Sequence, residues 1–227
     1  MIPLKDDNPT SGRPIVTYFL IGMCIVIFFI QLGSESYRTG QIFYSYGLIP
    51  SVLMGHDQLP MNLYTIPAYM TIFSSMFMHG GWIHLIGNMW YMKIFADNIE
   101  DNLGSRNFII FYILCGIGAA MAQVLMDTHS QIPMVGASGA IGGVLGAYLI
   151  NHPNAKVLVL IPYIIITIIK IRALYVLGFW FILQFISSGG GIAYAAHIGG
   201  FVSGIVLILF FNKKVRKKTK IIKGPWS

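Results

Sequence analysis

Long apolar runs, broken only by short polar loops, fill this chain, and their spacing predicts a bundle of membrane-crossing helices. Six runs are long enough to matter, at about 14–32, 83–98, 108–126, 138–150, 173–186 and 192–211. A seventh, at 157–169, would reach only ~20 Å as a helix against a ~30 Å hydrocarbon core. Pro162 interrupts it, and β-branched Ile and Val dominate it. It reads as a short hairpin or irregular segment at the inner surface. The expected fold is therefore an all-α polytopic membrane protein of six transmembrane helices in a compact bundle.

Composition agrees, with 56% hydrophobic and 10% charged residues, where a soluble domain carries about 25% charged. The charge balance of +7 would suit nucleic acid, yet seven of the fifteen basic residues lie between Lys213 and Lys223, directly after an apolar run. Such a tail reads as an anchor to the cytoplasmic membrane surface. The chain thus divides into a short cytoplasmic segment at 1–13, a six-span domain at 14–211 and a basic cytoplasmic tail at 212–227. No signal peptide is expected at the start, because residues 1–13 carry two acids, two bases and two prolines. Cys24 and Cys115 sit mid-span among aliphatic residues and read as buried small hydrophobes.

Placing both termini inside puts Arg106, Lys156, Lys170, Arg172 and the tail in the cytoplasm, with Arg38 the one Lys or Arg in an outer loop. Six crossings satisfy the positive-inside bias, whereas seven would export the tail. On that count Ser138 opens the fourth span from the outer side, and His197 lies early in the sixth, which starts from the same side. At 1.5 Å per residue Ser138 sits ~9 Å and His197 ~7.5 Å below the outer interface. His84 and Asn88 fall in the first turns of the second span, which also runs inward.

Four polar groups thus converge on one layer where polar side chains are costly without a task or a partner. A serine hydroxyl becomes a nucleophile when a neighbouring base takes its proton, and imidazole suits that role near neutrality. His84 and Asn88, four apart on one helical face, could both donate to a developing oxyanion, as could the backbone N–H of Ser138 at a helix start. Gly139, Gly142, Gly143 and Gly146 on the fourth span and Gly200 and Gly204 on the sixth supply the small faces that let membrane helices approach. His79, before Gly80 and Gly81, reads as a structural hydrogen-bonding residue. His56, His129 and His152 lie in loops. Every Asp and Glu falls at a span end or in a loop, so a hydrolase here would run on a dyad, with no acid to orient His197.

The pattern resembles the rhomboid family of intramembrane serine proteases over about residues 68–211. The matching strings, in order, are His79-Gly-Gly-Trp-Ile-His84-Leu-Ile-Gly-Asn88, Glu100-Asp-Asn-Leu-Gly-Ser105, Gly136-Ala-Ser138-Gly139 and Ala196-His197-Ile-Gly-Gly200 followed by Gly204. The resemblance implies Ser138 as nucleophile, His197 as general base, and His84, Asn88 and the Ser138 N–H as the oxyanion hole. It also implies structural roles near the site for His79, Gly136, Gly139, Gly200, Gly204 and Glu100, and a membrane-dipping first loop at 61–78. Two departures stand out: Met70-Thr71 replaces the Trp-Arg pair that some members carry in that loop, and Gly142 stands where some members place an aromatic that stacks on the catalytic histidine. Tyr194 or a neighbouring helix is the expected support for that ring.

The implied substrates are single-span or other transmembrane proteins in the lipid bilayer, cut near the outer end of a helix, with the active site opening to the exoplasmic side of the cell membrane. Helix-destabilising residues near the cut and a small residue before it would favour cleavage. No metal, cofactor or nucleic acid is expected. Two other readings were weighed: a catalytically silent relative, which would be expected to lack the serine or the histidine, and a small transporter, for which no inverted repeat is visible. No His-Glu-x-x-His supports a zinc protease, and no paired intramembrane aspartates support an aspartyl one.

Overall fold

A computed structural model describes residues 1–162, 166–186 and 193–221. Ile192, where the sixth run opens, and residues 222–227 of the basic tail lie outside the described residues, as do the side chains of the tail from residue 213. Among the described residues, six long helices form a polytopic membrane bundle: α1 (Ile15–Gly33), α2 (Trp82–Leu103), α3 (Ser105–Met126), α4 (Ser138–Asn151), α5 (Ala173–Ile186) and α6 (Tyr194–Ile221). Three segments of these, Ile15–Gly33, Ser105–Met126 and Tyr194–Asn212, are long and apolar enough to cross a membrane. By contrast α2 carries Lys93, Asp97, Glu100 and Asp101 towards its end. The helices α4 and α5 have 14 residues each, or ~21 Å.

Helix α4 is the centre of the bundle. Every residue from Gly139 to Tyr148 is buried, the mark of a helix surrounded on all sides. From Gly139 to Ala147 it is made of Gly, Ala, Val, Ile and Leu because α6 and α3 press directly against it. A Cβ on Gly200 or Gly204 would collide with the carbonyl oxygen of Gly139 or Gly143 respectively, and one on Gly143 with the Cys115 side chain. Backbone-to-backbone contact of this kind replaces the hydrophobic drive that lipid cannot supply. Cys24 and Cys115 are buried free thiols.

The apolar segment after α4 folds as the antiparallel hairpin of β2 (Lys156–Pro162) and β3 (Ile166–Arg172), with Lys156 facing Arg172 and Leu160 facing Ile168. Sequence patterning missed the third strand. Residues Ile2–Asp6 form β1, which pairs antiparallel with β2, Ile2 opposite Leu160 and Asp6 opposite Val157. The first thirteen residues are therefore part of the fold. Trp90 Nε1 donates to the Pro3 carbonyl at 2.6 Å, and the Tyr148 hydroxyl and Asn98 Nδ2 donate to Asp6 Oδ2 at 2.6 and 3.0 Å.

Between α1 and α2 the chain forms short helices at Glu35–Arg38, Gln41–Tyr46, Pro50–Leu53 and Thr71–Ser74, with 3-10 turns at Ala68–Met70 and Ser75–Phe77. Met61, Tyr64, Tyr69, Met70 and Phe73 on this loop are exposed. Loop residues meet the segment before α4 through the Leu48–Met134 bridge, the Ser51 N–H to Ser130 carbonyl bond and the stacked rings of His56 and His129, 4.1 Å apart.

Candidate active site

Ser138 is the first residue of α4, and His197 lies in the first turn of α6. The glycine seam between these helices brings Ser138 Oγ to 2.8 Å from His197 Nε2. On its other side His197 Nδ1 lies 2.8 Å from Gln184 Oε1 of α5, and Gln184 Nε2 donates to the Trp180 carbonyl at 2.8 Å. The Trp180 ring sits 5.8 Å from the imidazole, tilted by 34°, while Tyr194 meets it edge-on at 6.4 Å. Gly142 packs against the α6 backbone: a Cβ there would come a tight 3.0 Å from the His197 carbonyl oxygen, and an ordinary 3.7 Å from Trp180 Cη2.

The second helix supplies the donors. The Gly80 N–H donates to His84 Nδ1 at 3.3 Å, so the neutral ring carries its proton on Nε2. That nitrogen faces the open side of Gly136, where a Cβ would lie 2.6 Å from His84 Nε2 and 3.5 Å from Ser138 Oγ. Gly136 has φ 128°, a conformation that side chains resist, and its N–H is anchored on the Ser75 carbonyl at 2.9 Å. Asn88, one turn below His84, is buried, and its Nδ2 has no hydrogen-bond partner among the described residues. Together with Ser138 and His197, His84 and Asn88 line one cavity of about 960 Å³, which Ile72, Met76 and Trp180 also bound. The first N–H groups of α4 have no acceptor within their own helix.

His79 is fully buried beside this cluster, its ring 5.2 Å from that of His84 and its Nδ1 3.2 Å from the Phe77 carbonyl. Its backbone is clamped by Gln31 of α1, which donates to the His79 carbonyl at 3.1 Å and accepts from its N–H at 3.2 Å. Gly139, Gly200 and Gly204 lie in the α4–α6 seam. Glu100 is not near the site, which corrects that expectation: it follows His84 by sixteen residues on one helix, or ~24 Å. There it accepts from the Val16 N–H, the Thr17 N–H and the Thr17 hydroxyl at 2.9, 2.8 and 2.8 Å. An acid at the start of α1 satisfies its orphan donors and its dipole together.

Sequence reading overlooked Gln184, Trp180 and Gln31. The signal was present for the two glutamines, which are polar side chains within apolar runs. Trp180 gave none, because an aromatic in such a run is ordinary.

Fold and site define the class: a polytopic helical membrane protein with a serine and a histidine in hydrogen-bonding contact inside the bundle. The family model described as Rhomboid domain matches residues 67–214. The chain belongs to the rhomboid family. It is 29% identical over 197 residues to "Rhomboid protease GluP" of Bacillus subtilis (strain 168), covering 86% of this chain and 34% of that protein. Over 143 residues it is 31% identical to "RHOMBOID-like protein 5" of Arabidopsis thaliana, 60% of this chain and 42% of the relative. "Rhomboid-like protease 3" of Toxoplasma gondii shares 24% over 149 residues, 66% of this chain and 54% of the relative. The matches thus span about a third to a half of these relatives' lengths.

Proposed function

We propose that this protein is an intramembrane serine endopeptidase that hydrolyses a peptide bond in or beside a transmembrane helix of another membrane protein by a Ser-His dyad. The observation that carries the reading is the 2.8 Å approach of Ser138 Oγ to His197 Nε2 from two separate helices. Membership of a family with relatives named as proteases supports it.

In this mechanism His197 Nε2 takes the Ser138 proton as Oγ attacks the scissile carbonyl carbon. Negative charge gathers on the former carbonyl oxygen, in the space beside Gly136 that His84 Nε2–H faces, with Asn88 Nδ2–H and the Ser138 N–H as further donors. Collapse of the intermediate expels the amine, which receives the proton from His197. Water then attacks the acyl-enzyme with His197 again as base. The steps draw on side chains, the Ser138 backbone N–H and water. A substrate helix must unwind before its carbonyl is free of its own hydrogen bond, so Gly, Pro or Ser near the cut favours cleavage.

The distribution of Lys and Arg supports cytoplasmic termini in a cell-membrane protein, which opens the Ser138 end of α4 towards the exoplasmic side. A fluorophosphonate probe tests the nucleophile on purified protein. Labelling is expected for the parent and absent for Ser138→Ala and His197→Ala. Equal labelling of Ser138→Ala, or undiminished cleavage of a single-span substrate by it, would overturn the assignment.

A further inference from the structure

We propose that Gln184 is a positioning residue for the dyad: anchored on the Trp180 carbonyl, its amide holds His197 in the tautomer that leaves Nε2 free to take the Ser138 proton. This rests on the proteolytic reading of the same site. The ring hydrogen bonds of His197 run to Ser138 and Gln184, and among the described residues no carboxylate occupies the place where an acid would complete a triad.

The direction of each bond follows from the one before it. A backbone carbonyl only accepts, so the Gln184 atom 2.8 Å from the Trp180 oxygen must be the NH2 group. Rotating the amide would set two oxygens against each other at that distance. Oε1 therefore faces the imidazole, and because it too only accepts, Nδ1 must carry the ring proton. A neutral imidazole has one N–H, so Nε2 presents its lone pair to the Ser138 hydroxyl. Ser138 then donates to His197, His197 to Gln184 and Gln184 to the Trp180 carbonyl, three hydrogen bonds pointing the same way.

Position on the helix makes the device rigid. Trp180 and Gln184 are four apart on α5 and so share a face, the tryptophan ring lying over the imidazole while its carbonyl locks the amide. Gln184 is 9% exposed, so water is a poor substitute for its oxygen. Unlike a carboxylate, this amide orients the base without adding charge to stabilise an imidazolium. The other titratable side chains around the ring are His84 of α2 and Tyr194 on its own helix.

Two variants in the full chain test this against a model single-span substrate, from about pH 5 to about pH 9. Gln184→Met keeps the length and loses the acceptor. It is expected to lower kcat by about 10–100-fold, the scale of hydrogen bonds that orient reactive imidazoles, with KM within about twofold. Gln184→Glu keeps an acceptor, retains most activity at alkaline pH, and moves the acidic limb of the profile up by about one unit or more as its charge favours the imidazolium. Nitrogen-15 histidine spectra give a readout apart from turnover, with the Nδ1–H tautomer dominant at His197 in the parent and a tautomer mixture in Gln184→Met.

An unchanged kcat and tautomer in Gln184→Met, or a parental pH profile in Gln184→Glu, would overturn the positioning role and leave the dyad standing. If Gln184→Met does not fold, the Gln184→Glu profile decides. A parent that neither cleaves nor reacts with the probe would sink the proteolytic reading, and the positioning role with it.

Discussion

A buried amide without a partner among the described residues, such as that of Asn88, costs about 1–3 kcal/mol, and in the proposed mechanism it would donate to the oxyanion. Asn88→Ala is therefore expected to lower kcat by about 100–1,000-fold, with little change in KM, in steady-state cleavage assays. A comparable rise in KM with kcat intact would count against an oxyanion role. Gly136 is constrained twice, by its φ of 128° and by the 2.6 Å that would separate an added Cβ from His84 Nε2. Ser138, His197, His84 and Asn88 could be read from sequence because each breaks an apolar run at a predictable depth. Gln184 breaks one too, but a lone glutamine in an apolar run does not carry the charge that marks an orienting acid, although its amide can give the same direction.

Among the elements, the α4–α6 seam sets the distance between Ser138 and His197. An added methyl on Gly204 would meet the Gly143 carbonyl, carbon and Cα, all backbone, so the helices must separate to admit it. Gly204→Ala is expected to destabilise by about 1–3 kcal/mol and to lose probe labelling, with thermal unfolding and labelling measured on the same sample. Full labelling at parental stability would show that the seam does not hold the pair. The small-residue spacing made this seam legible. The placing of Trp180 beside His197 was not, since that ring comes from α5, and periodicity within one helix carries no information about its neighbour.

Across the whole molecule, the sheet of β1, β2 and β3 is tied to α2 through Trp90 and Asn98 and to α4 through Tyr148. Burial pushes the Asp6 carboxyl above its usual range, against the lowering effect of the Tyr148 hydroxyl bond. The folded state then holds that proton more tightly than the unfolded chain does. Its contribution to stability is complete below the ordinary carboxylate range and is lost as pH rises through the raised value. Asp6→Asn keeps an acceptor for Tyr148, so it should melt above the parent at neutral pH and level with it near about pH 3. A parent that melts higher at neutral pH would show that the charge is favourable there. A reporter fused after Ser227 should read cytoplasmic, and an exoplasmic readout would overturn the count of six crossings. The hairpin was legible from Pro162 and its β-branched neighbours, but β1 was not, because pairing so distant leaves no local pattern. That distance also orders biogenesis. Residues 2–6 leave the ribosome before the segment at 156–162, so β1 has no mate until the four long helices between them have been made, a latch that closes late.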